Sequence, residues 1–317
     1  MAIKINNDTV INDSFKGQFK RVNPGQYTTA ERDNYNASVG DIIYNTTELK
    51  LQVYGGDVDD GGYGWVDIPI RNTGLTLGEG GTVSDPGNGW KYHAFTNTGA
   101  STFSITRAGF CEVLIVGAGG SGSGGWGGSG GGGGGVLHAE NIFLGVGTYP
   151  VVVGAGVSTP GQNQSGRSGG DSSFGVYSAG GGSGGSYGGS GGGTGGPQGT
   201  VVDAADGSFE AIGPNGGGGA ARGGGGGAGW SGSTDGGGGI GIRMPGFTNY
   251  GTPGPQGSGG YFAGGGSSTP SNPGSAGGGT NSPAPSPPNS GGGGGSTNDG
   301  YPNTSGPGIV IVRYRID

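Results

Sequence analysis

The stretch FCEVLIVGAGGSGSGGWGG, residues 110–128, has the residue types of a nucleotide site. Val113-Leu114-Ile115-Val116 runs into Gly117-Ala118-Gly119-Gly120-Ser121-Gly122, a G-x-G-x-x-G after an expected strand, and Glu140 follows near the spacing of a ribose-binding acid. That chemistry needs a helix next, with its N-terminal amides facing a pyrophosphate. Residues 123–135 are instead almost all glycine and serine. Each glycine inside a helix costs about 0.8–1 kcal/mol relative to alanine, and no apolar stripe is present to offset that. The motif reads as a coincidence of glycine abundance.

The remaining chemical candidates are sparse. Asp203, Asp206 and Glu210 gather in VVDAADGSFEAIGPN, where a glycosidase pair could form; an exposed acidic loop is the simpler reading. Asp57-Val58-Asp59-Asp60-Gly61-Gly62 lacks the glutamate that closes a calcium loop and reads as a solvated turn. His93 and His138 stand alone, and no Gly-x-Ser-x-Gly elbow joins a strand to a helix. No catalytic residue, metal site or cofactor is expected. Recognition chemistry is better represented. Trp126, Tyr187, Trp230, Phe247, Tyr250, Tyr261, Phe262 and Tyr301 lie in or beside glycine tracts. Aromatic faces on rigid loops offer large contact area at low rotamer cost, which suits sugar rings or protein receptors. The competing reading is that they plug gaps between tracts. Trp65 and Trp90 read as packing residues.

The elements that would position these residues follow from composition. Glycine supplies 91 of 317 residues, far above the usual share of about 7%. Leu, Ile, Val and Phe together number 53, too few for one large conventional core. The net charge of −7 is mild and acidic, which argues against nucleic acid as a partner. The single cysteine, Cys111, cannot form an intrachain disulfide and is expected to be buried in its strand. The first residues carry no apolar signal-peptide core, and no apolar run approaches a membrane span of about 20 residues. Membrane insertion is not expected.

Along the chain, residues 1–37 read as an extended docking segment and 38–70 as a small β-hairpin module. In that module Ile42-Ile43-Tyr44, Leu49–Val53 and Gly64–Ile68 are strands, and Asn45-Thr46-Thr47-Glu48 is a turn. Residues 71–90 read as a linker and 91–317 as a glycine-rich domain. Within that domain, alternating or apolar β-runs surround the tracts, and Gly308–Ile316 (GIVIVRYRI) is the strongest strand signal. No helical periodicity is found. The fold class expected is all-β: a small N-terminal module, then a sandwich-like β-base clasping glycine-rich segments of polyglycine II type. Such threefold extended helices can pack until backbone meets backbone. Ordering costs about 1–2 kcal/mol per residue, while a backbone hydrogen bond nets about 0.5–1.5. A glycine bundle therefore needs a clasp, and the segments 112–116 and 308–316 are expected to pair and supply it.

Two features resemble known families. VGDIIYNTTELKLQVYGG with the later GWVDI resembles a module of tailed-phage fibre proteins, with its Gly-Asp-x-x-Tyr-Asn turn, x-Leu-x-Val-Tyr strand and downstream Trp. Residues 92–317 resemble the glycine-rich domain of phage virion proteins, opened by EVLIVGAGG, continued by GVGTYPVVVGAG and closed by GIVIVRY. In architecture and composition the region is also similar to the polyglycine-helix tip adhesins of T-even-type long tail fibres. The resemblance implies a non-enzymatic protein on the virion exterior, in a homotrimeric fibre or fibre tip. The N-terminal segment would attach to other virion proteins. The loops, including the eight aromatic residues above, would bind a host surface polysaccharide or outer-membrane protein. A head, neck or tail decoration without a receptor is the alternative, and an ice-binding surface protein is a more remote one.

Overall fold

A computed structural model describes residues 3–5, 8–11, 25–48, 50–55, 64–67, 76–125, 127–159, 161–187, 208–212, 223–254, 257–269, 278–279, 286–296 and 304–316. They divide into two compact units, Met1–Gly74 and Leu75–Asp317. The protein is nearly all β, as its composition implies.

In the first unit, strands β1 (Ile3–Ile5) and β2 (Asp8–Ile11) form a hairpin. β3 (Gly25–Tyr27), β4 (Ile42–Asn45), β5 (Lys50–Tyr54) and β6 (Trp65–Asp67) form a sheet in that order. The β3–β4 pair is parallel and the others antiparallel. The expected turn holds: Asn45 Oδ1 accepts the amides of Thr47 (3.0 Å) and Glu48 (3.1 Å). Two features correct the sequence reading. β3 joins the module rather than a separate docking segment, and helix α1 (Thr29–Asp33) follows it. Its five residues are too few to show periodicity. A capping box marks its start, with Thr28 Oγ1 accepting from Glu31 N–H and the Glu31 carboxylate from Thr28 N–H. Arg32 then donates to Gln52 Oε1 (3.0 Å), which also accepts from the Asn45 amide (3.1 Å). Tyr27, Tyr35, Trp65 and Tyr54 form a chain of ring contacts, so Trp65 packs as expected.

The second unit is a β-sandwich with a glycine bundle growing from it. Its strands are β7 (Leu77–Glu79), β8 (Thr82–Ser84), β9 (Trp90–Phe95), β10 (Gly99–Arg107), β11 (Gly109–Val116), β12 (Val136–Leu144), β13 (Gly147–Val153), β14 (Ser172–Phe174), β15 (Tyr177–Ala179), β16 (Ser208–Ile212), β17 (Ile242–Arg243), β18 (Tyr261–Phe262) and β19 (Ile309–Arg315). One sheet runs β15-β14-β13-β10-β7, the other β16-β12-β11-β19-β9-β8, and all their pairs are antiparallel. The two clasp segments pair directly, Glu112 opposite Arg313 through Val116 opposite Ile309. Their runs are apolar on both faces because both faces are covered. Val113, Ile115, Val310 and Val312 enter the core between the sheets with Phe103, Leu137 and Phe174. Leu114, Val116, Ile309 and Ile311 face outward and are covered by Met244, Phe247 and Phe262.

The expected linker at 71–90 contains β7 and β8, one in each sheet. Gly80 and Gly81 turn the corner between them at φ 122° and 61°, and a Cβ on Gly80 would lie 2.6 Å from Thr102 O. Glu210, expected in a loop, lies in edge strand β16 opposite His138; Asp203, Asp206 and the 57–62 turn lie outside the described residues. Cys111 is buried as expected, and burial pushes its thiol up to about 12 against a hydrogen bond from Thr76, which leaves it unreactive.

Past Val116 no helix forms. The amides of Gly117, Gly120 and Ser123 donate to Gly135, Gly132 and Ser129; those of Ala118, Ser121 and Gly124 donate to Gly170, Arg167 and Gln164; Gly119 donates to Gly306. A step of three residues returns to the same neighbour, the repeat of a threefold extended helix. The next tract repeats the pattern. Gly130 and Gly133 donate to Gly223 and Gly226, Gly131 and Gly134 to Gly294 and Gly291, and Gly132 and Gly135 to Ser183 and Gly180. Each tract thus bonds to several others, parallel and antiparallel, and most continue directly from a strand. Contact is backbone on backbone: a Cβ on Gly120 would sit 2.1 Å from Ser183 O. Gly117–Gly122 is where a clasp strand enters this bundle.

A buried polar relay ties the sandwich together. His93 Nδ1 donates to Gly80 O (2.8 Å), so its Nε2 accepts from Tyr314 Oη (2.9 Å), and that oxygen accepts from Gly78 N–H (3.0 Å). Burial, helped by the Lys91 charge and opposed by the Gly80 carbonyl, holds the imidazole below its ordinary range. An unfolded histidine takes its proton near pH 6.5, the folded His93 only at lower pH. Between the two, the unfolded chain binds more protons, so stability is full above about pH 6.5 and declines as pH falls through that window. We expect His93→Gln to flatten the fall in Tm between pH 7 and 5, measured by calorimetry; an unchanged slope would contradict the buried neutral assignment.

Candidate functional site

The structure separates the eight aromatic candidates. Trp126 and Tyr301 lie outside the described residues. Phe247 and Phe262, 1% and 0% exposed, correct the expectation: they pack on the outer face of the six-stranded sheet. Tyr250 lies against that cluster, its ring 5.9 Å from Tyr92, and Tyr261 fills the space beside Gly254. Two candidates face outward. Trp230, 74% exposed, is anchored by its backbone, with its amide on Ile240 O (3.0 Å) and its carbonyl accepting from Gly227 (2.8 Å). Tyr187, 39% exposed, ends the tract 180–185 beside Gly125 and donates its amide to Ser165 Oγ (3.1 Å). Nothing in the linear sequence separates these groups, since all eight lie in or beside glycine tracts, where an exposed loop residue and a packed cover residue look alike.

The same outer face holds a charged cluster that the linear sequence hides. Arg313 Nε (2.9 Å) and Nη2 (2.5 Å) both donate to Glu112 Oε2, on the neighbouring strand, and Nη1 donates to Gly246 O (2.6 Å) and Tyr92 Oη (3.3 Å). Its guanidinium lies 4.1 Å from the Trp90 ring centroid and 4.6 Å from that of Phe247. Tyr92 Oη donates to the same Gly246 carbonyl (3.1 Å). The turn Pro245–Phe247 is thereby latched to the sheet. Burial opposes ionisation of Glu112, but the nearby His138 imidazole and the hydrogen-bonded Arg313 guanidinium together hold its carboxyl below its usual value.

His138 does not stand alone. Its Nε2 is 3.5 Å from Glu112 Oε2, its Nδ1 3.6 Å from Glu140 Oε1, and its ring meets Phe247 edge-on at 5.4 Å. Donor atoms of Glu112, His138 and Glu140 lie within 4.8 Å of one another, close enough for a cation. Glu112, however, is already neutralised by the Arg313 guanidinium at the same oxygen, which opposes a second positive charge. The arrangement serves as a latch.

Beside the latch a groove of about 420 Å³ opens between residues 86–92, the 245–249 turn and the end of β19. Trp90 faces Arg315 across the strand pair, and the Arg315 guanidinium lies 4.6 Å from its ring centroid. Trp90, expected as a packing residue, thus stacks two guanidiniums at a groove wall.

No curated protein matches the chain. A family model described as a glycine-rich domain matches residues 95–315, from the end of β9 to the end of β19. Both clasp strands, every described tract, and Glu112, Gly246 and Arg313 of the outer-face latch fall inside that match, with Trp90 and Tyr92 just before it, and the chain belongs to this glycine-rich domain family.

Proposed function

We propose that this chain is a non-enzymatic structural protein of a phage virion, a fibre or fibre-tip component on the particle exterior. Its N-terminal segment attaches to other virion proteins, the chain assembles as a homotrimer, and the glycine-rich unit contacts a host surface polysaccharide or outer-membrane protein. The observation that supports this most is how the bundle holds its loops. Tract ends are fixed by backbone bonds that do not depend on loop sequence, so loops can vary while the scaffold stays constant. Trp230 and Tyr187 are held outward on that scaffold, and several copies would raise weak contacts to firm attachment through avidity. The burial of Phe247 and Phe262 favours a second reading, an architectural decoration protein without a receptor.

The test is binding of the labelled full chain to host cells and to adsorption-resistant mutants. Saturable binding that blocks phage adsorption and is lost on resistant cells is expected. Absence of binding by the folded chain would overturn the adhesin reading in favour of the architectural one.

A further inference from the structure

We propose that the far end of the glycine bundle, where Tyr187 meets Gln162, Asn163 and Gln164, binds a neutral saccharide. This inference rests on the reading of the chain as a surface-binding protein and gives that reading a site and a ligand class.

The first tract leaves β11 at Gly117 and the second returns to β12 at Gly135, bonded through Gly120 to Gly132 and Ser123 to Ser129. Gly125 and Gly127, at φ 94° and 82°, lie in the turn between them, at the end away from the sandwich. The segment 159–166 crosses that turn and is fastened to it. Thr159 Oγ1 donates to Gly122 O (2.7 Å), Gln164 O accepts from Gly124 N–H (3.0 Å), and Gly166 N–H donates to Gly185 O (2.8 Å). Tyr187 arrives on the tract 180–185 and donates its amide to Ser165 Oγ (3.1 Å). The missing side chain of Gly125 lets ring and amide meet. A Cβ there would lie 2.4 Å from Asn163 Oδ1 and 3.2 Å from Tyr187 Cε2.

The backbone here is committed and the side chains are not. Gln162, Asn163 and Gln164 are exposed and Tyr187 is 39% exposed. Among the described residues, none of the three side-chain amides nor the Tyr187 hydroxyl has a hydrogen-bond partner. Each amide offers two N–H donors and a carbonyl acceptor, which matches the mixed donor and acceptor character of sugar hydroxyls. The adjoining ring can cover the C–H face of a pyranose. Charge decides for a neutral sugar. Residues 117–135, 154–166 and 180–187 contain no Asp, Glu, Lys or Arg. The next charge along the crossing segment is Arg167, whose backbone is bonded to Ser121. Four residues of threefold helix put that anchor about 12 Å back from Gly125.

The test titrates the full chain by calorimetry with neutral oligosaccharides of glucose, galactose, mannose and N-acetylglucosamine, and with glucuronate and N-acetylneuraminate oligosaccharides. At least one neutral oligosaccharide is expected to bind saturably and more tightly than any acidic one. Tyr187→Ala should weaken that binding about tenfold. Asn163 lies at φ 59°, so Asn163→Gly keeps the left-handed backbone while removing the amide; it should weaken binding roughly three- to tenfold with Tm unchanged. No saturable binding across the neutral panel, tighter binding of an acidic sugar, or insensitivity to either substitution would each overturn the proposal. Cell binding measured in parallel separates the two levels. Cells bound equally by the chain and by Tyr187→Ala would leave the adhesin reading standing and remove this turn from it. Sugar binding without cell binding would keep the site and overturn the adhesin reading.

Discussion

Alanine in place of Gly131 is expected to destabilise the glycine-rich unit by about 3–5 kcal/mol, well beyond an ordinary surface substitution. Gly131 lies inside the bundle, where an added Cβ would sit 2.1 Å from Gly120 O and 2.6 Å from Gly120 C. Those atoms are backbone, so no rotamer change relieves the clash. The tract cannot shift either. Gly131 donates to Gly294 and accepts from Gly266, and its neighbours Gly130 and Gly132 bond to Gly223 and Ser183. Moving it by the needed ångström breaks bonds to several tracts at once. In a unit of this size the loss corresponds to a fall in Tm on the order of 10 °C. Gly161→Ala is the control, because its Cβ would meet nothing nearer than 3.8 Å and its backbone is not in the left-handed region. Differential scanning calorimetry of both variants should show a large fall for the first and almost none for the second. Equal, small effects would mean that the tracts do not interlock.

The contrast between those two glycines marks what the sequence could and could not reveal. The clasp was legible because Val113–Val116 and Ile309–Val312 are continuous apolar β-runs, and only a strand covered on both faces needs such a run. The tracts were legible as threefold helices because glycine alone tolerates close approach on every side. Which tract adjoins which was not legible, since residues without side chains carry no register. The tract at 223–226 runs parallel to 130–133 while 291–294 runs antiparallel, a difference that no glycine in either tract encodes. The candidate site was hidden for another reason. Glu112 and Arg313 are 201 residues apart, and they meet only because β11 and β19 pair. His138 looked solitary because its partners come from a neighbouring strand and from two positions along its own. Phe247 and Phe262 looked like loop residues because the face they cover exists only after the clasp has formed.

The clasp also dictates the second large effect. A chain ending at Gly308 lacks β19, the strand between β11 and β9. Ile309, Val310, Ile311, Val312 and Tyr314 are all fully buried, and burying each such side chain contributes about 1.5–3 kcal/mol. Losing them removes on the order of 10 kcal/mol, comparable with the whole stability of a typical domain. No residue of the tracts from 117 to 296 is deleted, yet the bundle alone is near zero in net stability because ordering its glycines costs about what their hydrogen bonds return. The truncated chain is therefore expected to lose the bundle together with the sandwich. Amide hydrogen exchange of Gly120, Gly131, Gly132 and Gly294, compared between the intact and truncated chains, tests this most directly. These amides are expected to exchange in the intact chain only through global unfolding, and at the open-chain rate once β19 is gone. Rapid exchange in the intact chain, or protection that survives the truncation, would contradict a glycine bundle held shut by its two end strands.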